Sequence, residues 1–413
     1  MISKKRLALL TALLSALGPF AIDTYLPSFQ MMATELKASE LQVQQTLTVY
    51  LIAFGVMNLL HGAISDSVGR KPVILVVLGL FGLASFGASF SASIQELWFW
   101  RALQGMSGGV GLTVGRAMIR DSVDGPDAQR LMSYSTMMFS LAPAVAPIVG
   151  GWIALSYGWR AVFVFLGLYA WLIALCCCLL LPETLQASER QPLAVRPLFS
   201  AYGRFFSSKQ FWRVAGSQTL NFQGFFIYIL AAPALILGLL KLGPNDFYWL
   251  FIPATLGTLV GAAGSARAAG KRNPKQMIQL GFKVMLVAAS SGLLVAVLFE
   301  MGWHEILGRI LGVSITPMPW LVIHLFFYVT GMAFAMSALQ VKLLDLAPER
   351  RGTISSCHAF VQSVGNSFAA GVLVPLLWFS TVSLAAGALL LVIGSIVLYI
   401  SASGRANEAQ AAT

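Results

Sequence analysis

Charge is what this chain has least of. Of its 413 residues only 10% are Asp, Glu, Lys or Arg, against about 25% in a soluble globular protein. The length would hold two or three soluble domains, but the distribution excludes that reading. Apolar segments recur from end to end, each of about 20 residues and so long enough to cross ~30 Å of hydrocarbon as a helix. The chain is read as a polytopic membrane protein. Histidine is scarce too: His61, His304, His324 and His358 are scattered, without metal spacing or a nucleophile–base partner, which argues against a membrane enzyme. There is no phosphate-binding glycine loop, which argues against nucleotide-driven work. The four cysteines form no disulfide framework. Cys176, Cys177 and Cys178 are consecutive and point three ways from one helix, and Cys357 lies far off; they read as small buried apolar residues. The basic start and apolar body of residues 1–27 lack a small-residue cleavage site, so the segment is read as a retained first span rather than a signal peptide.

The charge that is present is mostly positive, +11 net. The bases cluster at Lys4–Arg6, at Arg70 and Lys71, at Arg120 and Arg130, from Arg190 to Lys209, from Arg267 to Lys275, and at Arg350 and Arg351. These clusters fall in alternate loops, the pattern of the positive-inside rule. They place both termini in the cytoplasm and make the number of spans even.

Twelve helices fit, near 7–27, 42–62, 72–93, 95–119, 131–155, 158–182, 211–237, 247–269, 276–299, 317–344, 353–377 and 380–402. The longest internal polar stretch, Glu183 to Lys209, divides them six and six. The expected organisation is an all-α integral membrane fold: a first six-helix bundle over 1–182, a cytoplasmic linker over 183–210, a second bundle over 211–402 and a disordered tail over 403–413. Gly69-Arg70-Lys71 follows the second span and Gly270-Lys271-Arg272 follows the eighth. The recurrence suggests a duplicated six-helix unit, as in many secondary transporters.

The segment GAISDSVGRKP, Gly62 to Pro72, interrupts two apolar runs. Gly62 and Gly69 suit close approach and a tight turn, Pro72 suits a first helical turn, and Arg70 and Lys71 hold the turn in the cytoplasm. Asp66 adds nothing to that retention and is well used facing the positive end of another helix. The spacing G-x-x-x-D-x-x-G-R-K resembles the signature loop of the major facilitator superfamily. Asp23-Thr24-Tyr25-Leu26-Pro27 in span 1, Arg101-Ala102-Leu103-Gln104-Gly105 in span 4, and Pro143, Pro147, Gly150 and Gly151 in span 5 resemble the twelve-span drug:proton antiporters, most closely the Bcr/CflA subgroup of bacterial exporters. Two departures stand out: Ser67 follows the loop acid where the family usually has a base, and Arg267 stands where the second half would carry the acid.

The resemblance implies two pseudo-symmetric bundles that rock about a central cavity. It implies that Asp66 docks at the start of span 11 near Gly352 and Thr353, that Arg70 pairs with Asp121, and that both contacts close the inner side. A topogenic loop with solvated charges is the alternative. In span 5 it implies an antiporter-specific role for the bent, close-packed helix; a simple packing kink is the alternative. Gly105, Gly108, Gly109, Gly111 and Gly115 give span 4 a smooth face for close packing.

Asp23 is the acid that falls clearly inside a span, and such residues are functional candidates by default. Asp23 and Arg101 both lie about 6–8 Å below the outer surface. Desolvation favours the neutral acid and a nearby guanidinium favours the carboxylate, so Asp23 can serve as proton carrier with Arg101 positioning it. A static ion pair between spans 1 and 4 is the alternative. Candidate cavity residues are Tyr50, Asn58, Gln104, Met138, Asn221, Gln223, Phe225, Gln340, Gln362 and Asn366; each polar one could instead be an interhelical hydrogen bond.

The implied activity is proton-driven export of drug-like molecules across the bacterial inner membrane, with a metabolite such as a sugar or amino-acid derivative as the alternative cargo. No cofactor or metal is expected, the proton motive force being the driver. The partners expected are a small molecule, H+ and the bilayer, with no nucleic acid, and the chain is expected to work as a monomer.

Overall fold

In hydrocarbon each backbone N–H and C=O needs a partner within the protein, so a spanning segment must be helical or part of a closed barrel. The computed structural model describes residues 3–191, 195–268, 271–312, 316 and 318–411, and every regular element among them is a helix. The chain divides into two compact units, Met1–Ser200 and Ala201–Thr413.

The first unit holds spans 1 to 6: Lys4–Asp23, Glu40–Val68, Arg70–Ser89, the pair Ile94–Gly108 and Val110–Ser122, Gly125–Tyr157, and Trp159–Leu180. The second holds spans 7 to 12: Lys209–Leu230 continued by a π-helical turn at Ala234–Leu239, Tyr248–Ala268, Pro274–Glu300, Met318–Leu344, Arg351–Phe368 with its continuation to Leu377, and Thr381–Ala411. In the first unit span 1 packs chiefly on 5, 2 on 4 and 3 on 6; in the second, 7 packs chiefly on 12 and less on 11, 8 on 10, and 9 on both 10 and 12. The 2–4 and 3–6 contacts recur as 8–10 and 9–12, the structural form of the duplication, and the expected twelve-span, two-bundle fold is the one observed.

Ten helices among the described residues are long and apolar enough to cross a membrane on composition alone. Spans 4 and 7 are the other two, for a physical reason. Span 4 breaks at Gly109 and buries Arg101 and Gln104, and span 7 buries Gln218, Asn221 and Gln223. Their polar side chains face protein, not lipid, and lower the mean hydropathy without exposing charge to hydrocarbon.

Several boundaries differ from expectation. Span 1 ends at Asp23, not near 27; Pro27 lacks a backbone donor, and the chain continues as a 3₁₀ turn, Leu26–Ser28, and a short helix, Phe29–Glu35. Span 2 runs on to Val68, so Asp66 sits on a helix and Gly69 alone separates it from span 3. Gly69 has φ +114°, open to glycine but not to other residues. The last helix continues past 402 to Ala411, where the expected disordered tail is rich in alanine, the best helix former. The linker contains a helix, Val195–Phe206. Residues 192–194 of that linker, Gly270 of the second basic turn, and 412–413 of the tail lie outside the described residues.

Candidate functional site

The last turn of any helix leaves carbonyls without intrahelical donors. At the end of span 1 the Arg101 guanidinium supplies one. Its Nη1 donates to the Ala21 carbonyl at 3.1 Å and also to Gln104 Oε1, and its Nη2 donates to Tyr25 Oη at 3.2 Å. Arg101 therefore holds the residues two before and two after Asp23. Its charge lies 4.3 Å from the ring centroids of both Tyr25 and Tyr50, a double cation–π contact suited to a cation out of water. Gln104 Nε2 donates to Ser85 Oγ at 2.7 Å, and the Tyr25 hydroxyl meets Thr46 Oγ1 at 2.9 Å. Four spans and the post-span turn thus converge on one guanidinium that is 0% exposed.

Asp23 is 3% exposed and its Oδ1 has no hydrogen-bond partner. Among the described residues it is not one of the ion pairs, which in this unit are Lys4–Asp127, Arg70–Asp66, Arg70–Asp121 and Arg160–Glu35. The sequence alternative of a static Asp23–Arg101 ion pair is therefore not the arrangement found. Tyr50 Oη and Asn58 Oδ1 are also buried without partners. Met138 is half-buried on span 5.

At the opposite end of this unit Arg70 is the hub. Nε donates to Asp121 Oδ2 at 2.9 Å, and Nη1 donates to Ser65 Oγ at 2.6 Å and to Asp66 Oδ1 at 2.5 Å. The structure thus brings Arg70 and Asp121 together. Lys71 Nζ donates to the Cys178 carbonyl at 2.9 Å, capping the end of span 6. Glu183 is the residue sequence reasoning missed here: its carboxylate accepts from the backbone N–H groups of Arg70 at 2.9 Å and Lys71 at 3.2 Å, at the positive N-terminus of span 3. A side chain at Gly69 would run into that carboxylate. Gly62 differs from expectation, since a methyl group there would meet no atom within 4 Å; it makes no close approach.

Span 5 carries Pro143 and Pro147 in its interior and buries Gly150 and Gly151. A Cβ at Gly150 would collide with the Thr24 carbonyl, next to Asp23. On span 4 a Cβ at Gly105 or Gly108 would strike Tyr50, at Gly109 Asn58, and at Gly111 the Leu14 carbonyl; at Gly115 there is room. The smooth face is used over most of its length.

In the second unit the polar candidates pair with one another. Gln223 Nε2 donates to Asn366 Oδ1 at 2.6 Å, and Gln362 Nε2 donates to the same oxygen at 3.2 Å. Gln218 Nε2 donates to Gln340 Oε1 at 2.7 Å, and Asn221 Nδ2 donates to the Met332 carbonyl at 3.3 Å. Span 7 is thereby tied to spans 10 and 11. Phe225 is buried against Phe222 instead of forming part of this network. The oxygens Gln223 Oε1, Asn221 Oδ1, Gln362 Oε1 and Gln218 Oε1 remain buried without donors. Tyr25, Thr46, Ser85 and Gln218 were not singled out from sequence. Tyr25 alone had a signal, its place inside the Asp23–Pro27 element.

The sequence profile of the Major Facilitator Superfamily matches residues 9–370. The chain is 30% identical over 346 residues to a bicyclomycin resistance protein homolog of Haemophilus influenzae, covering 83% of this chain and 82% of that one. It is 38% identical over 160 residues to multidrug resistance protein D of Escherichia coli, covering 39% and 41%. A crystal structure of a D-xylose–proton symporter superposes with a TM-score of 0.72 at 17% identity, covering 95% of this chain and 97% of that one, a likeness of fold.

Proposed function

The chain belongs to the Major Facilitator Superfamily, and from that premise we propose that it is a Bcr/CflA-type exporter, driving drug-like molecules out across the bacterial inner membrane in exchange for protons. It is a multi-pass membrane transporter, not an enzyme, and its relatives named for bicyclomycin and multidrug resistance support drug efflux. The finer claim concerns Asp23, and the observation that carries it is the geometry around that carboxyl group. Asp23 is buried with Oδ1 unpartnered, while the two terminal nitrogens of Arg101 are committed on either side of it to Ala21 and Tyr25, its Nε being left without an acceptor. A carboxyl group not locked into an ion pair keeps its proton exchangeable.

In this reading Asp23 takes a proton from the outside as cargo departs there, the protonated form turns inward, and cargo entering from the cytoplasm displaces the proton before the loaded form turns outward again. The basic end bearing Arg70 and Asp121 faces the cytoplasm, as the distribution of bases supports. There Arg70, paired with both Asp121 and Asp66, ties the inner ends of spans 2, 3 and 4 together. One carboxyl group implies one proton per cargo. Exchange for a neutral molecule then moves one positive charge inward and draws on both ΔpH and voltage; exchange for a monovalent cation draws on ΔpH alone. Neutral or zwitterionic cargo gains most.

A drug panel in a strain lacking its major pumps, comparing wild type with Asp23→Asn, tests the proposal together with acid-driven uptake into inverted vesicles. Wild type should confer resistance and accumulate drug under ΔpH, and the well-expressed variant should do neither while still binding drug. Equal resistance from the two proteins would reject Asp23 as carrier. No uptake by wild type under any gradient would reject proton-coupled export.

A further inference from the structure

Span 9 is the helix whose charge is least explained by the transport site. From Lys271 to Phe299 the sequence carries Lys271, Arg272, Lys275 and Lys283 but no acid. Among the described residues neither Arg272 nor Lys283 belongs to an ion pair. The helix, Pro274–Glu300, has 27 residues, about 40 Å against ~30 Å of hydrocarbon, which puts the Lys283 backbone about 8 Å inside the apolar layer. An exposed lysine at that depth is costly unless it snorkels towards a counterion.

Two cavities of the second unit meet at this lysine. One is a shallow basin of about 440 Å³ lined by Arg272, Gln276, Gln279, Leu280 and Lys283. The other, of about 460 Å³, starts at Lys283 and follows the same face of span 9 through Val287, Ser291 and Val295 to Phe299. The spacing of three to four residues keeps one helix face against both cavities, and 283 to 299 is about 24 Å of rise. The far wall of the second cavity comes from spans 7, 10 and 12, with Leu235, His324, Phe327 and Leu384. His324 Nε2 and the Tyr228 hydroxyl satisfy each other at 3.2 Å, so the wall offers little polarity to a guest. Val287 and Phe327, on the rim, are 70% and 51% exposed, so the groove opens sideways onto the surrounding bilayer.

A pair of cations and two amides at an interface, continuous with a long apolar groove open to lipid, matches one kind of molecule: a negatively charged headgroup joined to a hydrocarbon chain. We propose that span 9 carries a binding site for an anionic phospholipid, its phosphate held by Lys283 and Arg272 and one acyl chain lying along Val287, Ser291 and Val295. The site supplies Lys283 with the counterion the protein does not, and it is independent of which cargo is exported.

Native mass spectrometry of the full-length protein, titrated in detergent with phosphatidylglycerol or phosphatidylcholine, tests the site. Two interfacial bases should give a preference for phosphatidylglycerol of about 25-fold, falling about fivefold for each base removed. Lys283→Gln and Arg272→Gln should each show that loss, the double variant should retain the two lipids alike, and Lys37→Gln, on the other unit, should behave as wild type. Ser291→Phe, which fills the groove, should weaken both lipids without changing the preference. Equal retention of the two lipids by wild type, or an undiminished preference in the Lys283→Gln, Arg272→Gln double variant, would overturn the proposal.

Discussion

Replacing Gly150 by alanine puts one methyl group where the structure has no room for it. The new Cβ would overlap the Thr24 carbonyl, and because the obstacle is backbone rather than a flexible side chain, no rotamer change relieves it. Spans 1 and 5 must separate by about 2 Å to restore ordinary van der Waals contact. Overpacking of this kind costs about 1–3 kcal/mol. It is partly offset by the gain in helix propensity of alanine over glycine, about 0.5–1 kcal/mol, leaving a net loss of up to about 2.5 kcal/mol, towards the upper end because the obstacle is backbone. The displaced atom is bonded to the residue after Asp23, so the same shift disturbs the carrier and its grip by Arg101. Gly62→Ala and Gly115→Ala are internal controls: their added Cβ atoms meet nothing within 4 Å, and they should be neutral or stabilising. Cys177 and Cys357 are buried thiols, whereas Cys178 is exposed and Cys176 half-buried, unlike the four buried cysteines expected; with those two replaced by serine, a thiol-reactive fluorophore reads unfolding in detergent. Gly150→Ala should unfold at a lower temperature and lose drug resistance, and the controls should do neither. If Gly150→Ala exports and unfolds like wild type, the close contact of span 5 with the end of span 1 is not part of the mechanism.

Glu183→Ala removes the carboxylate that caps Arg70 and Lys71 and should cost about 0.5–2 kcal/mol in thermal unfolding, whereas Glu183→Gln should lose less because an acceptor remains. Arg70→Lys and Asp121→Asn should each reduce resistance, and the double variant should be no worse than either, the signature of a shared contact in a double-mutant cycle. Arg101→Lys keeps the charge but not the fork. It leaves at least one of Ala21 O, Gln104 Oε1 and Tyr25 Oη without a donor, about 1–3 kcal/mol in stability, and export should fall with it.

The number of spans and the duplication were legible in the sequence because each rests on composition or repeated motifs, whereas equal depth along spans 1 and 4 allowed Asp23 and Arg101 to meet without showing that the helices touch. Span 4 shows the strength of that reasoning: it was placed near 95–119 although Arg101 and Gln104 make it too polar to qualify on hydropathy alone. The break after Asp23 was not read, though Pro27 carried the signal; an apolar run masks a turn when hydropathy is the measure. The partners of Arg101 were beyond reach for a different reason. Ala21 contributes a carbonyl, and any residue could supply one, so no side-chain pattern marks it. Glu183 lies 113 residues from Arg70 in a segment read as linker, and its role comes from where the end of span 6 delivers it. Hydrogen-bond pairing between Gln223 and Asn366 was open as an alternative to cavity lining, and distance decided that the two amides meet.

Export rests on a proton movement tied to cargo through Asp23. Purified protein in liposomes, with an imposed ΔpH and a pH-sensitive dye inside, measures both fluxes together. Drug added to wild type should trigger proton movement in the opposite direction, and Asp23→Asn should bind drug yet move no protons and build no drug gradient. Drug accumulation against its gradient by Asp23→Asn at the wild-type rate would contradict that coupling.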